Sequence, residues 1–465
     1  MMNPLQICGV VMILLTIILI GVWSGRHVKN ASDFEFGKGY GNAGFVSGIM
    51  MGTLIGGSST IGTAQLAYTQ GISASWYALS CGIACLVIAL LYIKPFRHAK
   101  VPTLLGIIHR EYGSHIELIS AILVCFASFV AVIPQLIASS SVLPVIFPGM
   151  SVRLSVALTA GLILIYVAFG GALGASLLGR VKIILLYIAV LFGIYIVMKE
   201  TGLRFLWDSL DHSYFDLFAN GIGKESSKAL SVILGVVTSQ LYMQAVTSAS
   251  SDRTARRGEL ISAFLIPPVG IASALIGMFM RVNHPNLANS KDAFSQFVLL
   301  YMPDFLGGIV LATLLLAIVG SSAGSLLNLT TIIHQDIIAP RTKWFDNPKV
   351  FLLFTRLCIV CFLTIACLLS TGILGDIVLN FTTAAAGLQA ATLFAPLMYA
   401  MLFPGKIDHH WVFAAVIVGA GLSVIFSVWN ILPIDGLSAG FLGSVLCCAC
   451  GAVSKKLYGE HAPLL

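Results

Sequence analysis

Apolar runs of roughly 20 residues, long enough to cross a bilayer, recur from end to end of this chain. Read as helices, they predict thirteen spans: roughly 5–24, 43–67, 75–96, 115–146, 152–172, 178–198, 228–248, 259–280, 305–335, 349–370, 375–403, 410–431 and 437–454. Polar and charged residues collect in the short stretches between them. Two spans break the pattern from within. The second contains GIMMGTLIGGSSTIG, residues 48–62, rich in glycine, serine and threonine and without charge. The ninth reads LLLAIVGSSAGSLLNLTTIIHQD, residues 314–336. Glycine costs about 1 kcal/mol relative to alanine inside a helix, so a glycine-softened span of membrane length calls for an explanation.

Composition agrees with the pattern. The 465 residues are 58% hydrophobic and only 10% charged, against roughly 25% charged in an ordinary soluble protein. The chain reads as an all-α polytopic membrane protein forming one domain over 1–465, with apolar helices at 5–24 and 410–454 flanking the stretches 43–198 and 228–403. The first span has no basic segment before it, so it is expected to be retained. The lysines and arginines sort by side. Arg26, Lys29, Lys38, Lys94, Arg97, Lys100, Arg110, Arg180, Lys182, Arg253, Arg256, Arg257, Arg341, Lys343, Lys349, Lys406, Lys455 and Lys456 fall on one side. Arg153, Lys199, Arg204, Lys224, Lys228, Arg281 and Lys291 fall on the other. The excess belongs to the cytoplasm. That puts the N-terminus outside, the C-terminus inside and the protein in the cell membrane. The net charge of +7 is a property of the inner face and gives no sign of nucleic acid. The ten cysteines fall inside apolar spans and show no metal spacing.

The broken span has a physical use. Non-helical backbone at membrane depth is tolerated where it is buried in protein or lines a cavity, and carriers use it to aim free carbonyls at an ion and a substrate. The alternative is close helix packing through small residues. The ninth span adds Gly320, Ser321, Ser322, Gly324, Ser325 and Asn328. A broken helix facing a serine-rich helix supplies the oxygen ligands that Na+ requires.

In these residues the chain resembles the sodium/solute symporter family, whose members carry proline, sialic acid, pantothenate and sugars on a LeuT-type inverted-repeat fold. GTLIGGSSTIGTAQLAYTQGIS (52–73) resembles the first core helix and the turn after it. TLLGIIHREYG (103–113) resembles the characteristic inner loop, IYVAFGGALGA (165–175) the end of the fourth core helix, and AIVGSSAGSLLNLTTIIHQDI (317–337) the eighth. The resemblance implies a 5+5 inverted repeat with discontinuous first and sixth core helices, the breaks falling near 53–59 and 238–244. It also implies a single Na+ site. The site falls on the carbonyls of Gly52, Ile55 and Ala317 and on positions 320 and 321, where Gly320 lacks the expected hydroxyl and Ser321 keeps it. A second sodium site, which would fall on Ala323, Gly324 and Gly179, is expected to be absent. The implied substrate positions are Gly57, Ser58, Ser59, Trp76, Gln135, Ser239, Gln240 and Gln244, with Asn380 and Gln389 as further candidates.

Acids are expected only at helix ends: Glu117, Asp252, Asp336 and Asp408 inside, Asp208, Asp304 and Asp376 outside. No Asp, Glu or Lys is expected near the bilayer centre, where a charge costs roughly 2.5–3.5 kcal/mol. An inner gate is expected from Arg253, Arg256 or Arg257 on Glu111 or Asp336. No nucleophile–base pair converges, so an enzyme is not expected. Neither are an organic cofactor, a nucleic-acid partner or an obligate protein partner. The partners are the bilayer and a small solute, neutral or anionic. A non-transporting sensor or channel is disfavoured by the expected lack of an output module and of a charged pore ring. Two carrier readings remain. One is Na+-coupled symport of that solute. The other is a sodium-independent or proton-coupled carrier on the same fold, for which Gly320 is the main support.

Overall fold

The computed structural model describes residues 3–26, 41–99, 101, 103–342, 347–372, 378–429 and 436–458. Lys29, Lys38, Lys100, Lys343 and Asp376 lie outside these. The described residues are helical, with no strand among them. Among the described residues, nine helical stretches are long and apolar enough to cross a bilayer, or ten when one bent pair is joined; three shorter apolar helices accompany them.

The elements that build the interior are these. Helix α1 is Pro4–Gly25, α2 Ala43–Leu54, α3 Thr63–Gln70, α4 Trp76–Val87, α5 Leu104–Tyr112, α6 Ser114–Val130 and α7 Ile133–Ser139. Then come α8 Val152–Glu200, α9 Ile222–Val237, α10 Gln240–Ser248, α11 Asp252–Asn283, α12 Asp304–Ile332, α13 Pro348–Gly372 and α14 Val378–Leu402. Helices α15, His409–Trp429, and α16, Gly436–Tyr458, close the chain. Helix α8 packs on both α2 and α12. Helix α11 packs on α3 and α4, and α9 packs on α4 and α14. Helix α12 is the central element, buried along most of its length.

The expected spans 152–172 and 178–198 fall on one helical element, Val152–Glu200, whose apolar parts Val152–Val167 and Ser176–Glu200 correspond to them. The sequence between them, FGGALGAS, has no proline and no charged turn, so nothing in it removes the helical hydrogen bonds. Helix α11 starts at Asp252 rather than 259. Its N-cap Ser251 accepts the Thr254 amide, a capping arrangement that the apolar pattern alone does not reveal. Helix α11 therefore carries Glu259 into the interior, and Lys182 lies inside α8. Glu259 is 0% and Lys182 1% exposed, so two ionisable side chains are buried inside the bundle.

Candidate functional site

Helix α2 stops at Leu54. Ile55 is extended, and a π-helical turn over Ser58–Gly62 restarts the rod before α3. The first break thus spans 55–57, within the expected 53–59. Breaking a helix orphans carbonyls on one side and amides on the other, and buried backbone groups must find partners. Four of the groups freed here find partners in side chains. The Gly56 amide, which would have closed on the Gly52 carbonyl, donates to Ser59 Oγ at 2.9 Å. The Gly57 amide donates to Gln135 Oε1 of α7 at 2.9 Å. The released Gly52 carbonyl accepts Lys182 Nζ of α8 at 2.5 Å, and the released Thr53 carbonyl accepts Ser321 Oγ of α12 at 2.6 Å. Gln135 Nε2 goes on to Ser58 Oγ at 2.9 Å, which meets Thr382 Oγ1 of α14 at 2.7 Å.

The glycines here serve close approach. A Cβ on Gly56 would stand 2.2 Å from Ser321 Oγ, and one on Gly57 would stand 2.8 Å from the Ala138 methyl group. Gly57 has ordinary right-handed torsions, φ −57° and ψ −33°. The polar, small-residue stretch at 48–62 is therefore both a break and a tight crossing.

The second break lies between α9 and α10, at Thr238 and Ser239, where the two helices bend by 48°. It falls at the start of the expected interval 238–244. Thr238 Oγ1 donates back to the Leu234 carbonyl at 2.8 Å, and the Ser239 amide donates to the Val236 carbonyl at 3.1 Å. From outside, Gln389 Nε2 of α14 donates to the Thr238 carbonyl at 2.9 Å.

Between the two breaks lies a cavity of about 100 Å³. Its polar wall includes Thr53, Ser128, Gln135, Ser239, Ser321, Ser325, Asn328, Thr382 and Gln389. Its apolar wall includes Leu54, Val232, Val236 and Leu241, with Tyr77 and Tyr242 as amphipathic flanks. No charged side chain lines it. Of the expected substrate positions, Gln135 and Ser239 line this cavity, as does the further candidate Gln389. Gly57, Ser58 and Ser59 sit behind its wall, in the break. Trp76 and Asn380 line a smaller pocket beside it, with Glu225 and Lys228, and the Trp76 indole donates to the Leu217 carbonyl at 2.7 Å. Gln240 turns away, its Oε1 accepting the Leu104 amide of α5 at 2.7 Å. The Gln244 amide group is buried, and neither its oxygen nor its nitrogen has a hydrogen-bond partner.

Of the expected sodium ligands, Gly52 and Ser321 already bond to protein groups. A Cβ on Gly320 would meet Gly52 O and Lys182 Nζ, each at 3.3 Å. Sequence reasoning missed Lys182 and Tyr77, whereas it singles out Tyr242 near the expected second break. For Lys182 a signal existed: it lies three residues after Gly179, one helical turn on the same face. The inner gate also differs from expectation. Arg97 Nε bonds Asp252 Oδ1 at 2.7 Å and its guanidinium also reaches the Val246 and Ala249 carbonyls. Asp336 accepts Thr103 Oγ1 at 2.5 Å, Glu111 accepts the Gly405 amide, and Arg256 donates to the Ala89 carbonyl. The long α11 places Asp252 against Arg97 and Arg256 against the Ala89 carbonyl.

Two helix breaks facing one uncharged cavity are the arrangement of a membrane carrier. Residues 41–419 match the sodium:solute symporter family, and the chain belongs to it. The fold is shared with a Na+-coupled sialic acid symporter in a substrate-bound outward-open state, with a TM-score of 0.82 and 17% identity over 100% of this chain and 99% of that one. Among curated relatives, the high-affinity choline transporter 1 of Caenorhabditis elegans is 22% identical over 87% of this chain and 73% of its own length. That of Drosophila melanogaster is 25% identical over 72% of this chain, and the match spans 57% of the fly protein. Family and fold are those of membrane transporters rather than enzymes.

Proposed function

We propose that this protein is a secondary carrier that moves a small organic solute across the cell membrane by alternating access. The observation that carries this reading is the cavity enclosed by both breaks, because rocking one half of the molecule against the other would expose it to each side in turn. The reading includes a 5+5 inverted repeat over 43–198 and 228–403, with the N-terminus outside and the C-terminus inside. The breaks at 55–57 and 238–239 support it, since they fall in corresponding positions of the two halves.

The lining suggests the solute's chemistry. Amides and hydroxyls offer both donors and acceptors, Leu54, Val232 and Val236 offer an apolar flank, and no fixed charge is present. A neutral or anionic solute with an apolar part suits this wall. Choline, which the relatives' names suggest, has the faces of Tyr77 and Tyr242 in its favour and no carboxylate in the lining to balance it. Sodium-coupled symport is the reading the family name supports. A sodium-independent carrier on the same fold is favoured by one observation, the Lys182 ammonium standing on the Gly52 carbonyl. Counterflow into proteoliposomes by a panel of labelled carboxylates, amino acids, sugars and choline tests the carrier reading. One class should exchange and compete with its own kind. Reconstituted protein that exchanges none of them would overturn it.

A further inference from the structure

We propose that the Lys182 ammonium is a tethered cation, held where the first break and α12 would otherwise offer oxygen ligands to Na+, and that Gly320 is the companion substitution that makes room for it. The inference deepens the carrier reading by assigning its cation site an internal occupant.

Four observations meet at this point. First, the break frees the Gly52 carbonyl from its helical partner, since the Gly56 amide turns to Ser59 instead. Second, Lys182 Nζ takes that carbonyl at 2.5 Å from a side chain only 1% exposed. No carboxylate among the described residues pairs with it; its recorded hydrogen bond is to a backbone dipole. A buried charge without a counter-charge is expensive and is kept only where it does something. Third, the route for the lysine is built. A Cβ on Gly179 would stand 1.9 Å from the Gly48 carbonyl, and a Cβ on Gly48 would stand 2.6 Å from the Ser176 carbonyl. Helices α2 and α8 therefore cross in contact at glycines, one turn before Lys182, which brings its stem to the break. Fourth, the opposite wall is cut back at Gly320. A Cβ there would lie 3.3 Å from both Gly52 O and Lys182 Nζ, tighter than ordinary contact. A side chain at 320 and the ammonium compete for one space. An ammonium also repels a second cation placed against it, so Na+ and protonated Lys182 exclude each other.

The test reads Na+ directly and needs no solute. Saturable binding of radioactive Na+ is measured on the purified full-length protein in lipid nanodiscs, with thermal unfolding as the check on assembly. Wild type should show no saturable site, and neither should Gly320→Ser with the lysine in place. Lys182→Ala should open a weak site, and Lys182→Ala with Gly320→Ser should bind about tenfold more tightly, the worth of one added ligand. Lys182→Met, which fills the space without charge, should stay silent. Saturable Na+ binding by the wild type or by Gly320→Ser alone overturns the proposal, and so does an assembled double variant that binds none. The wild-type measurement stands even if a variant fails to assemble. A carrier that exchanges no solute would remove the carrier reading while leaving this result intact.

Discussion

The two helix breaks are built on opposite principles. At 55–57 the orphaned backbone groups turn outward: Gly57 to Gln135 of α7, Thr53 to Ser321 of α12, Gly52 to Lys182 of α8. At 238–239 they turn mostly inward, to Leu234 and Val236 one turn back, with Gln389 as the side-chain contact from another helix. The first break is therefore a junction where three other helices meet. Its geometry depends on all of them, and a shift in any one is felt at the released carbonyls. The second is a local hinge, closed by its own chain and steadied from one side. A carrier needs both kinds: a fixed point where a cation is held, and a joint that bends at little cost.

The largest effect should come from Gln135→Leu. This change removes the acceptor of the buried Gly57 amide and the donor to Ser58 together. Side-chain hydrogen bonds between membrane helices average about 0.6 kcal/mol and reach roughly 1.7. Stranding a buried amide adds about 1–3 kcal/mol more. Solute exchange should fall on the order of tenfold or beyond, with a clear drop in the unfolding temperature of the detergent-solubilised protein. An unchanged exchange rate would mean the junction is not held from α7.

Ser321→Ala should do less. It leaves the Thr53 carbonyl without its 2.6 Å donor and otherwise removes a single oxygen. A loss of about 1–1.5 kcal/mol, or several-fold in exchange, is expected, and it should be the same with and without Na+. A defect confined to Na+-containing buffer would argue that Ser321 serves the ion directly and would count against the tethered cation.

Much of this contrast was legible beforehand, and its limits have physical causes. The position of the first break followed from five glycines in fifteen residues. The second followed from a polar run, TSQLYMQ, inside an apolar span. Gln135, Ser239 and Gln389 could be singled out because an amide or hydroxyl in an apolar helix must bond to something. Lys182 was hidden for a different reason. Side sorting of basic residues treats every lysine near a span end as a topology signal, and the glycine-rich stretch before it reads as a turn. Only the continuous α8, crossing α2 at Gly48 and Gly179, shows that the lysine points inward. Glu259 was hidden by a helix start: the Ser251 cap moved the boundary seven residues, and a residue expected at the surface became buried. Side-chain partners across the bundle, such as Ser58 with Thr382, have no sequence signal at all, since they depend on how distant helices are brought together.

The smallest expected effect separates the two designs most cleanly. Thr238→Val keeps the shape of the side chain and deletes the hydroxyl that bonds back to the Leu234 carbonyl. That carbonyl still accepts the Thr238 amide at 3.0 Å, and the Thr238 carbonyl still accepts Gln389. The Gly235 carbonyl loses only the long 3.3 Å bond from the same hydroxyl, so the cost should be about 0.5–1 kcal/mol, with exchange within roughly fivefold of wild type. Gln389→Leu belongs between the extremes, because it strands the Thr238 carbonyl and also alters the cavity wall. Its signature should be a raised KM for the solute together with a drop in unfolding temperature smaller than that of Gln135→Leu. Thermal unfolding and initial exchange rates of these two variants, set beside Gln135→Leu, decide the matter. If Thr238→Val proves as damaging as Gln135→Leu, the second break is as dependent on its partners as the first, and the description of it as a local hinge fails.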